Sequence, residues 1–280
     1  MTKSAEALKD FQAWSLTIAP LELTRPWGFE VEAPEGYKVT EIPAGLDVTK
    51  DGSVEAYNSY EPDCECECDD CSHSCDCGRC NYSDYDPDHC GEVGTCSRAY
   101  NEFMSCGPVY DSYPDMLVEL CEALEGTEQN DTAGVHVHVE AKDLTGYEVA
   151  RVLRIYRNLQ WMMSAISGRA GARYAIDMDD NHDVDNDILG FEAIGSKEAR
   201  MHRYHANNRY QAVNTQSLYR HGTIEFRQMA CNFNANEIAS WGRLHRALLN
   251  AVKAGLRPFE TESIENFAGY IRVLSRYTIV

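Results

Sequence analysis

Three segments far apart in the chain place functional side chains two residues apart. They are Gly28-Phe29-Glu30-Val31-Glu32, Val135-His136-Val137-His138-Val139 and Thr223-Ile224-Glu225-Phe226-Arg227. A β-strand has a side-chain period of two. Glu30 and Glu32 then share one face, with Phe29 and Val31 on the other. His136 and His138 share a face opposite three valines. Glu225 and Arg227 share one opposite Ile224 and Phe226. Each segment reads as a core strand showing a polar pair to one side. Alone, each pair has a plain reading: a polar outer face, a satisfied histidine couple, an exposed ion pair. Their shared alternation in apolar, β-branched surroundings favours one common site. Carboxylates, imidazoles and a guanidinium together suit a divalent cation with phosphate.

The rest of the pattern is mixed helix and strand. Residues 1–24 read as amphipathic helix then loop, and Asp51-Gly52-Ser53 as a turn. A strand is expected over 100–105, carrying Glu102. A helix over 112–125 follows, with Ser112 and Asp115 as a start resembling a capping box, Leu117, Leu120, Cys121 and Leu124 as its stripe, and Gly126 at its end. Apolar residues from Val149 to Ile166 predict one helix over 145–167, the longest in the chain. Arg151, Arg154 and Arg157 lie off its stripe as a solvated face, and Met162 and Met163 fill core. Residues 169–208 are rich in Asp, Asn, Gly and His and read as a solvated, mobile loop. The run Asp177 to Asp183 lacks the central Gly and terminal Glu of an EF-hand loop. Strands are expected over 210–214 and 223–228, and helices over 237–254, stopped by Gly255, and around Ile264 to Leu274.

Charge narrows the partners. Lys and Arg number 25 against 45 Asp and Glu, a formal net charge of −20. Such a surface repels nucleic acid and anionic membrane. No stretch approaches the roughly 20 apolar residues of a membrane span, and no signal-peptide core follows the polar start. The expectation is a soluble cytoplasmic protein.

Of twelve cysteines, eight crowd residues 64–90: Cys64, Cys66, Cys68, Cys71, Cys75, Cys77, Cys80 and Cys90, with His73 and His89 among them. Residues 61–92 also carry eleven acidic side chains and one basic, Arg79. With few large apolar side chains, this stretch cannot collapse by burial. Zinc bound by the thiols would offset the charge and order the segment. Disulfides fit a reducing compartment less well, and an iron–sulfur cluster is the further alternative. Residues 61–96 are therefore read as a Cys-rich, zinc-binding insertion, serving as a local staple or as a docking surface for a substrate.

In order along the chain, the three strand segments together with Asp51-Gly52-Ser53, Glu102-Phe103-Met104-Ser105-Cys106-Gly107-Pro108 and Tyr210-Gln211-Ala212-Val213-Asn214 resemble the amidoligase family of phages, bacteria and fungi, within the glutamine-synthetase-like carboxylate–amine ligases. The resemblance runs over about residues 27–255, the cysteine stretch excluded. Gly134-x-His136-x-His138 and Ile224-Glu225-Phe226-Arg227 are its specific blocks. It implies an α+β catalytic fold, a curved antiparallel sheet backed by helices, formed by residues 1–60 and 97–280 around the insertion. It implies ATP with Mg2+ or Mn2+ and ligation of a carboxylate to an amine through an acyl phosphate. Substrates would be small molecules or peptides, and the oligomeric state is left open. Glu30, Glu32, Glu102, His136 and Glu225 would hold the metals. Glu225 and Arg227 would be catalytic, with Arg227 on the transferring phosphoryl group. His138, Arg209 and Asn214 would contact nucleotide, and Arg173 and Arg203 are further phosphate candidates. A phosphotransferase of the same fold, or a zinc-binding interaction protein with an inactive ligase site, are the rival readings.

Overall fold

The computed structural model describes residues 2–16, 25–33, 42–49, 102–111, 113–126, 133–168, 175–178, 182–201 and 209–277. The cysteine segment, Asp51-Gly52-Ser53, Arg173 and Arg203 lie outside them. Among the described residues the fold is α+β: one antiparallel sheet of six strands, with helices. The strands are β1 (Trp27–Glu32), β2 (Leu46–Thr49), β3 (Glu102–Ser105), β4 (Gly134–Glu140), β5 (Val213–Asn214) and β6 (Thr223–Ala230). They lie in the order β2-β3-β1-β4-β6-β5, so the three strands that carry the polar pairs are adjacent and interior.

Burial follows the alternation of the sequence. On β1, Trp27, Phe29 and Val31 are buried, as are Val135, Val137 and Val139 on β4, and Ile224 and Phe226 on β6. These apolar side chains belong to one continuous core with helix α7 (Ala235–Lys253), the longest described helix, which packs on β1 and β4. Asn234 caps α7, its side chain accepting from the backbone N–H groups of Asn236 and Glu237. At Gly242 the helix meets the Trp27 ring: a methyl group there would stand 2.6 Å from Cζ3. The absent side chain is what lets helix and sheet approach. The Trp27 indole N–H donates to the Asp111 carbonyl at 2.7 Å, which fixes the ring.

Several expectations change. The long helix over 145–167 is two helices, α3 (Gly146–Asn158) and α4 (Gln160–Ser167), divided at Leu159. The Leu159 N–H is shared between the Ile155 and Tyr156 carbonyls, the tightened last turn that closes many helices. Thr145 caps α3 in a full capping box with Glu148. Helix α2 spans Asp115–Ala123 and starts at Pro114 without a side-chain cap; Ser112, expected at its start, lies outside the described residues, and Asp111 accepts from the Tyr113 N–H in the turn before the helix. The stretch read as a mobile loop holds a helix, α5 (His182–Ile194), that buries Val184, Ile188 and Phe191. Arg154 and Arg157 pair with Glu192 and Asp185 of that helix rather than only with solvent. Met162 and Met163 are core side chains, as expected. Helix α1 (Lys3–Leu16) and helix α8 (Phe267–Ser275) pack near α7, and a single-turn helix, α6 (Ser217–Arg220), joins β5 to β6.

Candidate active site

Strand register assembles the polar face. Glu30 stands opposite His136, His138 opposite Glu225, and Asn214 opposite Glu225 on its other side. Directly opposed residues of an antiparallel pair share a face and lie about 5 Å apart. Between Val135, paired with Met229, and Val137, paired with Phe226, two residues of β6 (Arg227 and Gln228) oppose the single His136. This bulge separates their roles. Arg227 pairs with Glu225 on the polar side. Gln228 is taken into a buried network behind the sheet, where it accepts from the Tyr156 hydroxyl at 2.9 Å and donates to Ser164 and Asp177.

His136 lies at the centre. Its Nδ1 is 3.0 Å from Glu30 Oε2 and 3.6 Å from Glu225 Oε1. Its Nε2 faces Glu32 Oε1 at 3.6 Å, and Glu32 Oε2 accepts from the Gly134 N–H at 2.6 Å. Ligand atoms of Glu30, His136 and Glu225 all fall within 4.8 Å of one another. His138 bridges outward: Nε2 is 2.9 Å from Glu30 Oε1, and Nδ1 is 3.1 Å from the Thr223 hydroxyl. Glu225 is held at both oxygens, Oε1 by Arg227 and Oε2 by the Asn214 amide at 2.6 Å.

These groups are sheltered from solvent. Glu32 and His136 are each 1% exposed, and Glu225 and Arg227 are each 5% exposed. Burial alone would raise the Glu30 carboxyl, but the neighbouring His138 charge and hydrogen bonds from both imidazoles hold it well below the usual carboxylate range. The His138 imidazole is lowered by burial and raised more strongly by Glu30, so its net shift is upward. Burial likewise opposes the Arg227 charge, and Glu225 and Glu32 more than restore it. Three carboxylates thus converge on one guanidinium and one imidazole that favours its proton. Buried negative charge in excess is costly unless neutralised, and a cation is the chemistry this donor set suits.

The other expected site residues stand further out. Glu102 of β3 is half-buried and opposes Glu32 in register. Arg209 is exposed, with its guanidinium 5.1 Å above the Tyr210 ring. Asp177 serves the buried network with Gln160, Ser164 and Gln228. Two groups had no signature in the sequence: Thr223, which meets His138, and the Gly134 N–H, which anchors Glu32. Each acts through its place in the register.

Residues 112–249 match a family model described as "Putative amidoligase enzyme". Over these residues, just under half of the chain, the protein is similar to the amidoligase family. No curated protein and no solved structure matches the chain. The amidoligase span runs from α2 into α7 and carries His136, His138, Asn214, Glu225 and Arg227. Glu30 and Glu32 precede it and reach the amidoligase residues through β1–β4 pairing.

Proposed function

We propose that the protein is an ATP-dependent ligase that joins a carboxylate to an amine. The observation that carries this reading is the convergence of Glu30, His136 and Glu225 beside Arg227 in a region of amidoligase type. Glu30, His136 and Glu225 are the ligands of one divalent cation, Mg2+ or Mn2+. Glu32 and Glu102, opposed in register, contribute to a second. The buried excess of carboxylate around His136 Nδ1 fits such a cation, and His136 Nε2, which makes no hydrogen bond, faces Glu32. When bound, the cation neutralises phosphate charge and orients the triphosphate.

The chain's own groups supply the rest. Arg227 gives planar, paired donors to the transferring phosphoryl group, which a Lys could not copy. Glu225 holds that guanidinium in place, and His138 and Arg209 are assigned to the nucleotide. A substrate carboxylate attacks the γ-phosphate and ADP leaves. The amine then attacks the acyl phosphate and phosphate leaves, with the gain coming from positioning and charge stabilisation. The cysteine segment binds zinc as a staple through Cys64, Cys66, Cys68, Cys71, Cys75, Cys77, Cys80 and Cys90.

The test is ADP release with Mg2+ or Mn2+ across a panel of amino acids and amines. Release that requires both carboxylate and amine supports the ligase. Release without amine points to a phosphotransferase. No nucleotide binding overturns the assignment and favours an interaction protein. Glu225→Gln and Arg227→Ala should each abolish turnover without unfolding the chain.

A further inference from the structure

We infer that Asn214 is a positioning residue for the cation site, acting through Glu225. Its two polar ends are committed in a way that leaves no ambiguity of orientation. Asn214 Oδ1 accepts from the Gln216 backbone N–H at 2.9 Å, and that group can only donate. Asn214 Nδ2 therefore points to Glu225 Oε2, at 2.6 Å, a carboxylate oxygen that can only accept. The pair sits where water cannot readily substitute: Asn214 is 6% exposed and Glu225 is 5% exposed.

The geometry sets the consequence. With Oε2 held by Asn214, Glu225 presents Oε1 toward His136 Nδ1, 3.6 Å away, and toward Glu30. Arg227 meets the same Oε1. Without the amide, Oε2 loses its donor and the carboxylate is oriented only from the Oε1 side, by Arg227 and His136, so rotation about its terminal bond, which has a broad torsional preference, is less restricted. A ligating carboxylate held by a hydrogen-bonding partner typically loses 10–100-fold in metal affinity when that partner is removed. Asn214 is itself fixed from the turn that follows, through the Gln216 N–H and through Ser217, whose single hydroxyl hydrogen is shared between the Asn214 carbonyl at 3.1 Å and the Thr223 carbonyl at 2.8 Å.

This inference rests on the cation reading above, so the experiment separates the two. Mn2+ binding to the full chain is measured by the electron-spin signal of the free ion, without nucleotide. Asn214→Leu keeps the volume and loses the amide, and should weaken Mn2+ binding about 10–100-fold. Ser217→Ala loosens the same turn without touching Glu225, and should lower the unfolding midpoint while leaving Mn2+ affinity within about twofold of wild type. A wild-type chain that takes up no Mn2+ overturns both the cation reading and this inference. A wild type that binds, with Asn214→Leu equally tight, overturns the positioning role alone. So does an equal loss of affinity in Ser217→Ala, which would make the effect one of general loosening. Should Asn214→Leu fail to fold, Asn214→Ala is judged by the same criteria.

Discussion

Replacing Gly242 with alanine sets two effects against each other, and the distances decide the sign. In a helix interior alanine is favoured over glycine by about 1 kcal/mol, so α7 taken alone should gain. The new methyl group, however, would lie 2.6 Å from Trp27 Cζ3, 2.7 Å from Cε3 and 3.1 Å from Cη2. Carbon atoms rest about 3.5–4.0 Å apart, so ring or helix must withdraw by about 1 Å. The ring cannot swing away easily. It is 2% exposed, packs against Phe29 at 5.7 Å between centroids, and is tied to Asp111 through its N–H. Overpacking of this kind costs about 1–3 kcal/mol, and it applies here to a fixed aromatic ring. The expected net effect of Gly242→Ala is a loss of up to about 2 kcal/mol, which is the overpacking cost less the helix gain. Urea unfolding of both proteins, with the slope checked for constancy, measures it directly. A midpoint above wild type would refute the reasoning, because propensity would then outweigh the contact. Trp27 lies on the same strand as Glu30, so a displaced ring should also weaken Mn2+ binding.

Three further outcomes are expected. Burial lowers the His245 imidazole to about 3, while its Nδ1–H is bound to the Trp241 carbonyl. Between that value and an unfolded value of about 6.5, the unfolded chain takes a proton that the folded chain refuses, so stability falls with acid. From about pH 7 to about pH 5, His245→Phe should gain about 2 kcal/mol on wild type, and parallel urea-stability curves would contradict this. Removing the α7 cap by Asn234→Ala should cost about 1 kcal/mol in the same assay, and an unchanged midpoint would show the cap to be idle. Deleting residues 64–90 should remove bound zinc while leaving Mn2+ affinity intact. Zinc content that survives the deletion sinks the zinc assignment.

The sheet was legible where alternation was strict. Glu30, Glu32, His136, His138, Glu225 and Arg227 alternate with buried apolar side chains, and their strands are adjacent. What remained hidden was non-local. Strand order is set by pairing between segments as much as 112 residues apart, Trp27 with Val139, so the meeting of Glu30 with His136 had no trace in either segment. Helix α5 was missed although Val184, Ile188 and Phe191 recur at helical spacing. The dense Asp and Asn around them suggested a loop, and packing against α3 outweighed that composition. The break at Leu159 carries no Pro or Gly, so the periodicity of Val149 to Ile166 ran straight through it. Asn214 was visible as a candidate, but its partner depended on the pairing of β5 with β6.

The two-residue length of β5 gives the sheet an uneven rigidity. Among the described residues, β1, β4 and β6 are each flanked on both sides, whereas β5 is an edge with one neighbour. Native-state fluctuations begin at such borders, and amide hydrogens there exchange with solvent sooner than those of central strands. The histidines therefore sit on a strand flanked on both sides, while the grip on Glu225 comes from a border strand. Any ion or nucleotide that draws Glu225 into its own coordination would steady that border, so occupancy of the site should be readable as deuterium protection on β5, two strands from the one that bears His136.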